Sequence, residues 1–496
     1  MSNYDYDVIV IGGGAAGLTA SGMASSLGAR TLLVEADRPG GDCTWTGCVP
    51  SKRLLRIAQT VKEISLGEEV GLHVENFTID FSKVMESVRS VREEIYAESD
   101  SPEALAKHNV EVLKGRASFI DPHRLQVVGT GGERELSARY VVICAGAAPR
   151  LLEIEGLQPE LIQTSESIFE LKALPSRLAI VGGGAIGVEL GQAFQRLGSN
   201  VTIVEAGESI LSNAEPEVAE LLADKLRGEG ISLLLNQRIL SGRAEGDCIQ
   251  LQLQKNESDR LATEVLESDL LLAAVGRLPN VAGLNLESAG VDYDETGITI
   301  NHSCQTSTSH IYACGDIAKG SDFTHVAENM AKTAITRILL KIPSTWERSL
   351  IPAITYTDPE VAQVGMRMAD LKKSGKAFNT IRFPYSHIDR ARIEGRGDGM
   401  ILVHYLPLTG KILGAHIVGA HAGELIHEIA LAMRNSLSLR EISNTVHAYP
   451  SWSQGVRRAA DQIYVQTGSA GALKMLGKVF GYRGEVSKII GTDEVV

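Results

Sequence analysis

One long unit occurs twice in the sequence. "YDVIVIGGGAAGLTASGMASSLGARTLLVEA" runs from an apolar stretch, Val8 to Ile11, through Gly12, Gly14 and Gly17 in GxGxxG spacing, to a small-residue segment and a second apolar run ending at Glu35. "RLAIVGGGAIGVELGQAFQRLGSNVTIVEA" repeats the pattern with Gly182, Gly184, Gly187 and Glu205 in the matching places. Each reads as strand, glycine turn, helix and parallel strand, the fingerprint of a dinucleotide site. The glycines permit a tight turn, close approach of backbone to pyrophosphate, and close packing of helix on strand. The helix N-terminus offers its N–H groups to phosphate, and the terminal Glu is placed to accept from a ribose hydroxyl. The repeat therefore predicts two dinucleotides on two Rossmann-like α/β domains.

At roughly 150 residues per domain, 496 residues predict about three domains. The stretch between the repeats has helical character over "VREEIYAESDSPEALAKHNVEVLKG" and hairpin character after it. The remainder from about Ile351 alternates strands with one helix, as an α+β domain does. The expected organisation is a first part of the first dinucleotide domain over 1–150, the second over 151–270, a return to the first over 271–345, an α+β dimerisation domain over 346–465, and a tail over 466–496. A net charge of −13 argues against nucleic acid, which demands clustered Lys and Arg. No apolar run has the length of a membrane span, and "MSNYDYDVIVIGGG" is acidic and leads straight into a strand, so a cytoplasmic chain is expected.

Cys43 and Cys48 stand apart among the six cysteines, within "GGDCTWTGCVPSK"; Cys144, Cys248, Cys304 and Cys314 are isolated and read as structural thiols. A disulfide holds its Cα atoms within about 7 Å, closer than positions i and i+5 of a helix, so the segment must bend. Gly41 and Gly47 supply the bend. "PSKRLLRIAQTVKEI" then reads as a helix with Cys48 at its N-terminal end, where the dipole and free N–H groups favour a thiolate. A thiolate beside a redox dinucleotide takes part in two-electron chemistry, which assigns the first site to a flavin and the second to a nicotinamide. NAD(H) is the expected form, since Glu205 would repel a 2′-phosphate and the following "AGESIL" has no Arg, with NADP(H) as the alternative.

With GGxCxxxGCxPSK following a GxGxxG unit, the chain resembles the class I pyridine nucleotide-disulfide oxidoreductases: dihydrolipoyl dehydrogenase, glutathione reductase and mercuric reductase. "CAGAAP", "GRLPN", "ACGDIA" and "HAYPSWSQ" extend the likeness over about residues 4 to 465. The resemblance implies FAD and a nicotinamide, with Cys43 as the interchange thiol and Cys48 as the thiol facing the flavin. It implies that Lys52 pairs with Glu189 near the flavin's reactive nitrogen. Asp316 is implied at the ribityl chain, and Gly41, Gly146, Gly276 and Arg277 at the cofactors. It also implies a homodimer in which "HAYPSWSQ" completes the partner's site. No resident metal ligand is expected.

The chain departs from the common pattern at that segment. Thiol-reducing members carry His before the Pro and Glu four residues after it; here those positions are Tyr449 and Gln454, and His447 matches the non-catalytic first His. A tyrosine hydroxyl, ordinarily near 10, and an amide do not shuttle a proton at neutral pH as imidazole does. Lack of that His is shared with mercuric reductases, and paired thiolates suit soft Hg²⁺. The C-terminal cysteine pair common in those enzymes is missing here. The expected function is FAD-dependent NAD(P)H oxidation through Cys43 and Cys48 to a small-molecule or metal-ion acceptor, mercuric-reductase-like. The alternatives are a dihydrolipoyl dehydrogenase or related thiol reductase, and a redox-silent subunit that keeps flavin for structure. In the tail, Leu473, Leu476 and Phe480 alternate with Lys474, Lys478, Arg483 and Lys488, a candidate amphipathic helix for its own dimer or a membrane surface.

Overall fold

Tyr6–Ile11 is buried almost along its whole length, as befits the middle strand of a parallel sheet covered on both faces. The computed structural model describes residues 4–246, 248–255, 263–320, 323–347, 350–467 and 470–481. Contacts divide the chain into two units, Met1–Ala206 with Asn236–Glu347, and Gly207–Leu235 with Arg348–Val496.

In the first unit we label the strands β1 (Tyr6–Ile11), β2 (Thr31–Glu35), β3 (Glu111–Lys114), β4 (Gly132–Ile143), β5 (Arg177–Val181), β6 (Asn200–Val204), β7 (Leu270–Ala273) and β8 (Ile311–Ala313). The helices are α1 (Ala15–Ser26), α2 (Gly41–Trp45), α3 (Cys48–Leu66), α4 (Ala185–Leu197) and α5 (Thr324–Ile335). One sheet runs β3-β2-β1-β4, all parallel, with β8 parallel on the other side of β4. The first half of β4 instead closes an antiparallel meander with Arg124–Gly129 and Arg116–Asp121, the hairpins expected between the repeats. The second repeat builds the parallel sheet β6-β5-β7.

The two glycine motifs are interchangeable in geometry. Gly12 has φ +99° and Gly182 φ +109°; a Cβ there would lie 2.3 Å from the Cys144 carbonyl oxygen and 2.4 Å from that of Ala274. A Cβ on Gly17 would lie 1.8 Å from the Gly12 oxygen, and one on Gly187 2.0 Å from the Gly182 oxygen. The motif spacing is thus a record of backbone approaching backbone.

The second unit is an antiparallel sheet. Its strands are β9 (Ala353–Thr355), β10 (Glu360–Gly365), β11 (Asn379–Pro384), β12 (Met400–Tyr405) and β13 (Ile412–Gly419), in the order β9-β10-β13-β12-β11. Helices α6 (Ala422–Arg434) and α7 (Gln454–Thr467) cover one face, and Phe383, Tyr405, Ile401, Ile417, Ile426 and Ile463 form its core. Residues 207–235 fall in this unit, although the sequence places them in the 151–270 domain. Arg382 binds Glu217 at 2.6 and 2.8 Å, and Lys225 binds Asp398 at 3.0 Å, so the helix Pro216–Gly228 is tied to this sheet.

In the tail, Ala470–Phe480 is a helix (α8) with Leu476 and Phe480 exposed. The side chains of Leu473 and Lys474, and Arg483 and Lys488 altogether, lie outside the described residues. No helix among the described residues is long and apolar enough to cross a membrane.

Two glycines of α1 should respond in opposite senses to the same change. Gly17→Ala drives a methyl into backbone and should cost about 3 kcal/mol. Gly22→Ala, with nothing within 4 Å of the new methyl, should gain ~0.5–1 kcal/mol from helix propensity. Urea midpoints of the two variants measure both.

Candidate active site

The first glycine loop opens into a cavity of about 1050 Å³ in the first unit. At one end α1 begins at Gly14, which has no side-chain cap, and its first turn carries no acid; α4 begins at Gly184 in the same way. Uncapped N–H groups at a helix start bind an anion. Glu35 accepts from the Gly13 N–H at 2.6 Å and from that of Asp37 at 2.8 Å. Glu205 accepts from Gly183 at 2.6 Å. A carboxylate has about four acceptor positions, so Glu35 retains capacity for a ribose hydroxyl while steadying its loop. Loop, helix start, acid and cavity volume fit a dinucleotide. Gly12, Gly14, Glu35, Gly41, Gly146 and Asp316 line this cavity. Gly17, Gly182, Gly184, Gly187, Glu205 and Gly276 do not; Gly17 and Gly187 hold helix on strand, and Gly276, at φ +107°, turns the chain ahead of Arg277.

The cysteines sit on two helices broken between them. Gly41 has φ +56°, and a Cβ there would lie 2.6 Å from Gly14 Cα, so α2 rests directly on the glycine loop. Gly47 caps α3; a Cβ on it would lie 2.8 Å from the Asp42 oxygen. The break returns Cys48, the first residue of α3, to Cys43. Both are free thiols, half-buried, facing the cavity and hydrogen-bonded to each other. The Cys43 thiol donates to Cys48, and that bond, with the Thr324 hydroxyl and the Lys52 charge, brings Cys48 down to about 6 against burial and Glu189. The same bond, with burial, pushes Cys43 well up.

Around the pair, Thr324 Oγ1, at the start of α5, lies 3.3 Å from Cys48 Sγ. Lys52, one turn along α3, binds Glu189 of α4 at 2.9 Å, with the Glu189 side chain only 7% exposed. Arg277 binds the Asp42 carboxylate and the Ala147 carbonyl, and its Nε, buried with no hydrogen-bond partner, faces Asp316 at 3.6 Å. Sequence reasoning missed Asp42 and Thr324. Asp42 carried a signal, sitting between two motif glycines and Cys43; Thr324 carried none.

The cysteines read as isolated are not all so. Parallel pairing of Ala313 with Ile143 sets Cys314 beside Cys144, and the Cys314 thiol bonds to both Cys144 and Cys304. Full burial pushes Cys314 far up, which keeps it a neutral thiol.

Tyr449 belongs to the second unit, where it is 69% exposed. In the same segment His447 Nε2 meets Glu428 at 2.8 Å, and its Nδ1 meets the Thr445 carbonyl at 2.8 Å. His447, matched to the non-catalytic first His of the pattern, is thus paired with an acid. Glu428 comes from α6, not from position 454, and its signal was an acid within the apolar "GELIHEIALAM".

A difference titration of reduced protein, wild type minus Cys48→Ser, by ultraviolet thiolate absorbance should show one thiolate with a midpoint near 6. Cys43→Ala should move the Cys48 midpoint upward, because the largest stabilising bond to the thiolate is lost.

Residues 6–331 match the pyridine nucleotide-disulphide oxidoreductase family, and residues 351–460 match the pyridine nucleotide-disulphide oxidoreductase dimerisation domain. The mercuric reductase of Lysinibacillus sphaericus is 32% identical, covering 92% of this chain and 82% of its own. The dihydrolipoyl dehydrogenase of Chlamydia pneumoniae is 33% identical, covering 92% and 97%. Among solved structures, the Cu(II) complex of the HOCl-induced flavoprotein disulfide reductase RclA from Escherichia coli is 27% identical with a TM-score of 0.81, covering 93% and 99%. LpdA from Mycobacterium tuberculosis is 27% identical with a TM-score of 0.84, covering 92% and 99%.

Proposed function

The chain belongs to the pyridine nucleotide-disulphide oxidoreductase family, and from that premise we propose that it oxidises NADH and delivers the electron pair through Cys43 and Cys48 to a thiol-bound soft metal ion. Membership implies FAD and a pyridine nucleotide. FAD supplies the two-electron couple between nicotinamide and cysteines; Gly12, Gly14, Glu35, Arg277 and Asp316 would hold it. The observation that carries the reading is the Cys48 thiol brought down to about 6 between Thr324 and the Lys52–Glu189 pair, beside a dinucleotide-sized cavity.

Each residue then has a task. Thr324 and Lys52 hold Cys48 as a thiolate and Glu189 holds Lys52. Cys43 keeps its own proton, donates it in a hydrogen bond to the Cys48 thiolate while the Cys48 proton passes to solvent, and is the thiol offered to the acceptor. Two sulfur donors suit a soft ion, whose reduction needs no imidazole to manage a leaving thiol. The chain is proposed to act as a homodimer, each "HAYPSWSQ" segment bringing Tyr449 to the partner's cysteines; the matched dimerisation domain supports this. The RclA neighbour, solved as a Cu(II) complex, and the mercuric reductase relative favour a metal acceptor.

The second reading is a thiol-disulfide reductase, favoured by the His447–Glu428 pair, an imidazole hydrogen-bonded to a carboxylate three residues before Pro450. Steady-state NADH oxidation against Hg²⁺ with excess thiol and against lipoamide separates the two. Poor lipoamide turnover that Tyr449→His with Gln454→Glu raises by about 10²-fold is expected, the scale of general acid–base catalysis. Robust lipoamide turnover abolished by His447→Gln would establish the second reading instead.

Glu205 should also set nucleotide choice. NADH should have the higher kcat/KM, and Glu205→Ala should narrow the NADH:NADPH ratio about tenfold, equivalent to about 1.4 kcal/mol. A wild-type preference for NADPH contradicts this.

A further inference from the structure

The second unit buries two histidines and a glutamate in contact, away from any residue used above. In β12 and β13, Leu402 lies opposite His416 and His404 opposite Gly414. His404 and His416 are therefore diagonal neighbours on one face of the sheet. The opposite face carries Ile401, Val403 and Ile417 into the core. Glu215, immediately before the helix Pro216–Gly228, meets the pair: its Oε1 is 3.2 Å from His404 Nε2 and 3.7 Å from His416 Nε2. His404 is 0%, His416 1% and Glu215 4% exposed.

The hydrogen bonding of this cluster is incomplete in one place. The Thr380 hydroxyl meets His404 Nδ1 at 2.9 Å, which directs Nε2 at Glu215, and the Met368 N–H donates to Glu215 Oε1. Neither ring nitrogen of His416 makes a well-aligned hydrogen bond, although the Met366 backbone lies close to the ring. A buried polar group left so is costly, and a separation of 3.7 Å to Glu215 is too long for a hydrogen bond. It is, however, close to the edge of a metal tetrahedron: ligands about 2.0–2.1 Å from Zn²⁺ stand roughly 3.4 Å apart. One donor atom from each of the three residues lies within 4.8 Å of the others.

We propose that Glu215, His404 and His416 form a three-donor site for a borderline divalent metal of the Zn²⁺ class, with Thr380 and Met368 fixing two of the donors from behind. The donor set is two imidazoles and a carboxylate, with the fourth position left to water. This is the composition Zn²⁺ takes with three protein ligands. Thr380 on His404 Nδ1 is the supporting bond that metal-ligating imidazoles ordinarily make. The metal would satisfy His416 and clamp the Glu215 segment to the sheet, a structural role separate from the redox cysteines.

The test uses the full-length chain in a Cys43→Ser/Cys48→Ser background, so that the redox thiols do not compete. Titration with Co²⁺ alone should give one equivalent with the intense visible bands of tetrahedral coordination and no ultraviolet sulfur-to-metal band. Zn²⁺ should displace it and raise the thermal midpoint. Thr380→Val should weaken Co²⁺ binding by about 10-fold, and His416→Ala by more than the roughly 10–100-fold that supporting residues are worth. Should His416→Ala not fold, Glu215→Gln is read in its place. Absence of bound Co²⁺, or binding unchanged by loss of the ligand, overturns the proposal.

Discussion

The contact on which the catalytic architecture depends is between two glycines, Gly14 on the dinucleotide loop and Gly41 at the head of the cysteine segment. A Cβ on Gly41 would lie 2.6 Å from Gly14 Cα, well inside van der Waals contact. Any side chain there would lift α2 off the loop, and Cys43 with it. The loop is itself seated by Gly12 against Cys144 and by Gly17 against Gly12. The position of the cysteine pair is thus set by backbone packing, a harder constraint than side-chain complementarity, because backbone cannot choose another rotamer.

An ion pair connects the cysteine helix to the second repeat. Lys52 is on α3, which packs on α4, and Glu189 is five residues beyond the Gly184 that starts α4. The helix that presents its N-terminus at the second glycine loop therefore also holds the lysine that steadies the thiolate. With Glu189 almost wholly buried, removing Lys52 would take a positive charge away from a buried carboxylate beside Cys48, a costly change in a low-dielectric site. The pair fixes sign as well as geometry: a positive charge on the cysteine side and a negative one behind it.

The second unit puts polar groups to a different use. Its core face is apolar, yet the other face of β12 and β13 buries His404 and His416 against Glu215. Near its C-terminal end, His447 is held by Glu428. In both places an imidazole and a carboxylate distant in sequence are brought together by register and helix packing, so neither pair announces itself as a motif.

What the sequence alone determined is what short spacing encodes. GxGxxG followed by an acid some twenty residues on implies a crossover of fixed length, and two cysteines around Gly47 imply a bent segment leading into a helix. Lys52 falls one turn after Cys48 by helical periodicity alone. These readings hold because one turn or one βαβ unit contains every atom involved. Thr324 reaches Cys48 across 276 residues, and Arg277 reaches Asp42 across 235. Cys144 and Cys314 become neighbours only because β4 and β8 pair in parallel at one particular register. Contacts of that kind depend on strand order and on which faces are buried, and those are settled only when the whole chain packs.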